Sequence, residues 1–191
     1  MKLEDTAVVV LASGLSRRFG GENKLLAPLD GKPLTAHVAA YVAEADVGHR
    51  YAVVDPQAPG VGRIYSDQGF ILVENPTPEE GQGAALGLGC AAACKDNHEG
   101  LFVCLGDMPF VTPKIFAMLA SQIGDGDAAI CTDGVRVSPP ALFSKDAAKG
   151  LLRLKGDAGA KKYIESLDNV ARVKMPAAQL RDIDKPEDLQ A

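Results

Sequence analysis

Ala7-Val8-Val9-Val10-Leu11-Ala12 is an apolar run with no polar alternation, and it leads directly into Ser13-Gly14-Leu15-Ser16-Arg17-Arg18-Phe19-Gly20-Gly21-Glu22-Asn23-Lys24. A strand exposed on one face alternates polar and apolar residues, so the unbroken run predicts a central strand over 7–12 covered by helices on both faces. Ligands of open parallel sheets bind at the carboxyl ends of strands, which puts the following segment where a site is expected. Its glycines let backbone amides approach an anion, and Arg17, Arg18 and Lys24 can neutralise phosphates. The expected guest is a polyphosphate; the alternative is an ordinary solvated basic turn. The segment contains neither G-x-G-x-x-G nor G-K-[ST], so it is neither a dinucleotide fingerprint nor a Walker loop.

Outward from this stretch, short apolar runs alternate with segments of helical spacing, the pattern of βαβ units and a largely parallel sheet. Strands are expected at 7–12, 51–54, 70–73, 101–105, 127–131, 140–143 and 170–174. Helices are expected at 33–45, 82–96, 113–123, 144–153 and 158–167. Thr112-Pro113 offers a hydroxyl cap before a first-turn proline. Asp184-Lys185-Pro186-Glu187 has capping-box spacing, which predicts a short last helix after Asp184. With no repeat, low-complexity tract or linker, one three-layer α/β/α domain over residues 1–191 is the simplest account.

A second chemical feature is Gly106-Asp107-Met108-Pro109, behind the run Leu101-Phe102-Val103-Cys104-Leu105. A carboxylate at the end of a buried strand is placed to hold a hard cation such as Mg²⁺, which takes few protein carboxylates plus substrate phosphates. The competing role for Asp107 is a turn cap before Thr112.

A net charge of −5 argues against a general nucleic-acid binder, whose footprint is basic. The longest apolar run is far below the roughly 20 residues that cross a bilayer, and the acidic start is no secretory n-region, so a cytoplasmic protein is expected. Cys90, Cys94, Cys104 and Cys131 lack zinc-ligand spacing and read as small core residues, although Cys90 and Cys94 would share a helix face. His37, His49 and His98 follow no metal motif.

The loop Leu11 to Lys24 resembles the L-x-x-G-x-S-x-R-x-G-x-x-K signature of MobA-like nucleotidyltransferases, and the cytidylyltransferases of molybdenum cofactor within them most of all. Leu26-Ala27-Pro28-Leu29-Asp30-Gly31-Lys32-Pro33-Leu34, Asn75-Pro76, Gly106 to Pro109, Gly156-Asp157-Ala158-Gly159-Ala160 and Asp182 to Leu189 extend the resemblance along the chain. It implies a Rossmann-like sheet of the nucleotide-diphospho-sugar transferase type. It also implies a reaction in which the terminal phosphate of molybdopterin attacks the α-phosphate of CTP and releases pyrophosphate. The implied catalytic residues are Arg18, Lys24 and Asp107, the last binding Mg²⁺, with Mn²⁺ as an alternative. Leu11, Ala12, Ser13, Gly14, Arg18, Lys24, Asn75 and Gly106 would bind the nucleotide, and Gln82, Gly83 and Asp157 the acceptor. A molybdoenzyme is the implied client.

Two segments depart from the family pattern. Gly81-Gln82-Gly83-Ala84-Ala85-Leu86 replaces a serine-rich G-M-S-x-S-L, and Ser138-Pro139-Pro140 stands where G-H-P is common. Gln82 and the amides opening the next helix are expected to replace the missing hydroxyls, with Gly83 allowing close approach. Three readings stay open: cytidylyl transfer to molybdopterin, nucleotidyl transfer with another base or acceptor, and a nucleotide- or cofactor-binding module without catalysis. Asp182 and Asp184 are candidate second-site carboxylates, but their spacing favours turn and helix caps.

Overall fold

The computed structural model describes residues 1–156 and 160–190. Asp157, the expected acceptor contact, and 158–159, the expected start of the fifth helix, lie outside the described residues. In chain order the elements are β1 (Thr6–Ala12), the short strands β2 (Pro28–Leu29) and β3 (Lys32–Pro33), α1 (Leu34–Glu44), β4 (His49–Val54), α2 (Pro59–Ser66), β5 (Ile71–Glu74) and α3 (Gln82–Ala93). They continue with β6 (Gly100–Leu105), α4 (Lys114–Gln122), β7 (Ala128–Thr132), β8 (Val137–Ser144), α5 (Lys145–Leu151), α6 (Ala160–Glu165) and β9 (Val170–Lys174).

Seven strands form one sheet in the order β5-β4-β1-β6-β8-β7-β9. β1 pairs in parallel with β4 on one side and β6 on the other, so the expected central strand is central. Its side chains divide between two cores: Val8 and Val10 join Val38, Val42, Phe102 and Phe116 on one face, while Ala7 and Val9 join Val53, Leu86 and Cys90 on the other. Both faces are dry, which is why the sequence shows no alternation. Each such valine contributes about 1.5–3 kcal/mol by burial.

Only β8 runs against its neighbours, β6 and β7. Its pairing with β7 changes register between Ile130, opposite Ala141, and Cys131, opposite Ser138, so Pro139 and Pro140 occupy the irregularity. Proline donates no ladder hydrogen bond and is confined in sheets to such places. The Ser138-Pro139-Pro140 departure therefore has a structural home.

Several expectations need correction. Helix α2 was not expected, because Gly60 and Gly62 weaken the helical signal; Gly60 lies against the Leu26 side chain, where a Cβ would come within 3.3 Å. The β2–β3 hairpin turns on Asp30-Gly31, both at positive φ, a two-residue turn signal that the strand reading passed over. Helix α4 starts where Thr112-Pro113 indicated, but without a side-chain cap. Helix α3 ends at Ala93 rather than 96, and Cys94 is exposed, not in the core; Cys90, Cys104 and Cys131 are buried. The last turn, Pro186–Gln190, is a 3-10 turn in which the Asp188 carboxylate accepts from the amides of Asp184 and Lys185. Asp184 is not the cap.

Candidate active site

The sheet order reverses at β1, whose neighbours β4 and β6 are reached by connections of opposite direction. That switch point opens a crevice outside the carboxyl ends of the strands. Its volume is about 330 Å³, and its walls come from the loop after β1, the residues after β6, the start of α3 and the chain near Asp184.

The loop after β1 is held by its own residues. Phe19 is buried and anchors the middle of the segment, leaving Arg17 and Arg18 at the crevice. Gly20 and Gly21 both take positive φ, where glycine carries no steric penalty, and turn the chain back. Ser16, also at positive φ, accepts the Lys24 amide on its Oγ at 3.1 Å. Asn23 caps the short turn Lys24–Leu26 by accepting from the Leu25 amide, and Leu25 is buried. These contacts fix where the Lys24 side chain starts.

Lys24 Nζ donates to Asp107 Oδ2 at 2.6 Å and to Asp184 Oδ1 at 3.1 Å. Arg18 reaches the other oxygen of Asp184 at 3.0 Å. Asp107 is brought in by Gly106, whose amide donates to the Leu11 carbonyl at 2.9 Å; a Cβ there would meet the Ala12 Cβ at 3.1 Å. Glycine thus lets the end of β6 lie against the end of β1. The backbone carbonyl of Asp107 accepts from the Ile183 amide, which ties the Asp184 segment to the same spot.

Burial pushes the Asp107 carboxyl up, against the pull of Lys24. Burial works to lower Lys24 as well, yet Asp107 and Asp184 together hold the ammonium above its ordinary value. Taken from Asp107 the pair is a cost, and taken from Lys24 a gain. Lys24 gives the sounder direction, because its ammonium is shared by two carboxylates and the cluster Arg18–Asp184–Lys24–Asp107 balances its charges.

The crevice brings together Leu11, Ser13, Gly14, Arg18, Lys24, Gln82 and Asp107 from the expected set. A Cβ at Gly14 would meet nothing within 4 Å, so backbone there is open to a guest. Ala12, Asn75, Gly83 and Gly106 do not line it. Asn75 is buried and donates to Ser13 Oγ at 2.9 Å, so it acts on the crevice through Ser13. Gly83 is spent otherwise: its amide donates to the Gly156 carbonyl at 2.7 Å, and a Cβ would meet that same oxygen at 2.7 Å. The close approach at Gly83 is to the chain's own backbone. Asp184, read from its spacing as a cap, lies in the crevice. The capping geometry is satisfied by Asp188, a distinction that spacing alone does not carry.

The chain is 33% identical over 131 residues to the bifunctional protein GlmU of Mycolicibacterium smegmatis, covering 65% of this chain and 27% of GlmU. It therefore spans about a quarter of that relative's length. It is 25% identical over 156 residues to a molybdenum cofactor guanylyltransferase of Shewanella piezotolerans, covering 81% and 73% of the two chains. Its fold superposes on Rv0371c of Mycobacterium tuberculosis H37Rv with a TM-score of 0.84 at 24% identity, covering 100% of this chain and 97% of that one. Rv0371c has also been solved as a complex with manganese. The sequence model of the MobA-like NTP transferase domain matches residues 8–170, a span that holds β1 from Val8 onward, its loop, the start of α3 and Asp107. With the three-layer fold and the crevice of that type in place, the chain belongs to the MobA-like NTP transferase domain family.

Proposed function

We propose that this protein transfers a nucleoside monophosphate from a nucleoside triphosphate, CTP in the leading reading, to the terminal phosphate of a molybdopterin-type acceptor. An oxygen of the acceptor phosphate bonds to the α-phosphorus, the bond to the β-phosphate oxygen breaks, and pyrophosphate leaves. The observation that carries the reading is the meeting of Lys24 and Asp107 at 2.6 Å in a crevice walled by the glycine- and arginine-bearing loop after β1.

The residues suit a divalent cation. Asp107 Oδ1 is buried without a hydrogen-bond partner among the described residues, and Asp107 and Asp184 share one ammonium. Two carboxylates with room for phosphate oxygens match the hard-ligand preference of Mg²⁺, with Mn²⁺ the alternative. Asp107 and Asp184 would hold such an ion, which would supply charge neutralisation to the triphosphate and the departing pyrophosphate.

The chain's own residues do the positioning. Backbone at Gly14 receives phosphate oxygens, and Lys24 and Arg18 turn from carboxylate to phosphate partners. Arg18 contributes the planar fork that grips two oxygens at once. No residue needs to become a covalent nucleophile, since alignment and charge stabilisation accomplish phosphoryl-type transfer. Gln82, at the opening of α3, faces the acceptor side. A cytoplasmic location and a molybdoenzyme client complete the proposal.

The second reading is guanylyl transfer, favoured by the name of the Shewanella relative. Pyrophosphate release separates the readings when CTP, GTP, ATP and UTP are each supplied with Mg²⁺ and either molybdopterin or a sugar 1-phosphate. Release with CTP and molybdopterin supports the proposal. Release with GTP moves the chain to the guanylyl branch, and release only with the sugar phosphate replaces the acceptor. No release with any pair, alongside measurable nucleotide binding, makes it a binding module.

A further inference from the structure

The opposite end of the sheet carries a second cluster of ligand-type side chains. His49 opens β4, and Asp96 and His98 lie on the connection from α3 to β6. β4 and β6 flank β1, so these two segments come together at the amino ends of the strands, away from the crevice. One ligand atom from each of the three residues falls within 4.8 Å of the others.

We propose that His49, Asp96 and His98 form a binding site for a borderline transition-metal ion, Zn²⁺ above all, separate from the triphosphate crevice. The His49 and His98 rings stand 4.9 Å apart between centroids at 64°, an edge arrangement rather than a stack. His98 Nε2 is buried and has no hydrogen-bond partner among the described residues; the Asp96 carboxylate faces it at 4.0 Å, beyond hydrogen-bond reach. A zinc ion about 2.0–2.2 Å from each tetrahedral ligand holds ligand atoms about 3.3–3.6 Å apart, so small side-chain adjustments close the site. A buried nitrogen left unpaired opposite a carboxylate is costly unless something joins them.

The surroundings support ligation. Tyr51 donates its hydroxyl to Asp96 Oδ2, an orienting contact of the kind that holds ligating carboxylates. Two imidazoles with one carboxylate select Zn²⁺ and its first-row neighbours over Mg²⁺, which prefers oxygen. Such an ion would staple the start of β4 to the end of α3, whose other end forms part of the crevice.

The test uses the full chain stripped of metal with a chelator. Equilibrium dialysis against Zn²⁺ is expected to give one ion per chain in the parent and in Asp107→Asn, which leaves this end of the sheet untouched. His49→Asn and His98→Gln are expected to weaken binding at least tenfold, and Tyr51→Phe about tenfold by releasing the carboxylate. Should either histidine variant fail to fold, the absorption spectrum of Co²⁺ bound to the parent decides: a strong ligand-field band marks low-coordinate nitrogen and oxygen ligation. A parent that takes up no Zn²⁺ overturns the site, and so does binding that survives both histidine changes. Zn²⁺ lost only in Asp107→Asn would place the ion in the crevice and equally overturn it.

Discussion

Lys24 and Asp107, 83 positions apart in the chain, meet at 2.6 Å, and the same ammonium reaches Asp184 from 160 positions away. One lysine therefore gathers the loop after β1, the end of β6 and the C-terminal segment into one charge-balanced cluster. In the proposed reaction it exchanges those partners for phosphates.

Asp107→Asn is expected to lower metal-dependent pyrophosphate release by about 10²–10³-fold, the scale on which one charge-stabilising group acts. Its melting temperature should fall modestly, because the buried Lys24 ammonium loses one of its two carboxylates and keeps Asp184 at 3.1 Å. Steady-state kinetics beside a thermal melt check this. Turnover within a few-fold of the parent would remove Asp107 from the chemistry.

Gly14→Ala separates binding from folding. The added methyl meets nothing in the free protein, so stability should change by less than about 0.5 kcal/mol, as for a neutral surface substitution. It would stand where the proposed phosphates approach the backbone, and nucleotide affinity should fall at least tenfold by calorimetry. Unchanged affinity would take the loop out of the triphosphate site.

Gly83→Val and Gly83→Ser should both destabilise, by about 1–3 kcal/mol, because any Cβ meets the backbone oxygens of Gly156 and Lys155. This revises the expectation that Gly83 leaves room for close approach of the acceptor. A Gly83→Ser protein that melts like the parent but shows a raised acceptor KM would restore the acceptor role.

Alkaline pH should unfold the protein by way of its thiols. Burial pushes Cys90 and Cys131 up to about 12 from an ordinary 9.0, and raises Cys104 as well. The folded chain then keeps protons that the unfolded chain releases. Stability is full below about pH 9 and declines as pH rises toward 12, by up to about 1.4 kcal/mol per pH unit for each thiol. Melts from pH 7 to 11 check the slope, and a thiol reagent at pH 8 should titrate Cys94 alone before denaturation. A flat profile to pH 11 would contradict the burial of these groups.

The layer architecture, the central place of 7–12 and the position of the loop at a strand's carboxyl end were legible in the sequence, because each is local. An unbroken apolar run has one stable environment, and glycines beside arginines after a strand have a small set of uses. That Arg18, Lys24 and Asp107 lie beyond the carboxyl ends of buried strands was legible for the same reason. Tertiary structure decided what depends on approach between distant segments. Spacing made Asp184 a cap, but the fold gave capping to Asp188 and turned Asp184 toward Lys24. Gly83 and Gly106 look alike as glycines near a site, yet both serve backbone packing within the chain. His49 and His98 are unremarkable in sequence and come together only because β4 and β6 both pair with β1. A pattern along the chain carries the environment of each residue, whereas its partner is set by the order in which strands assemble.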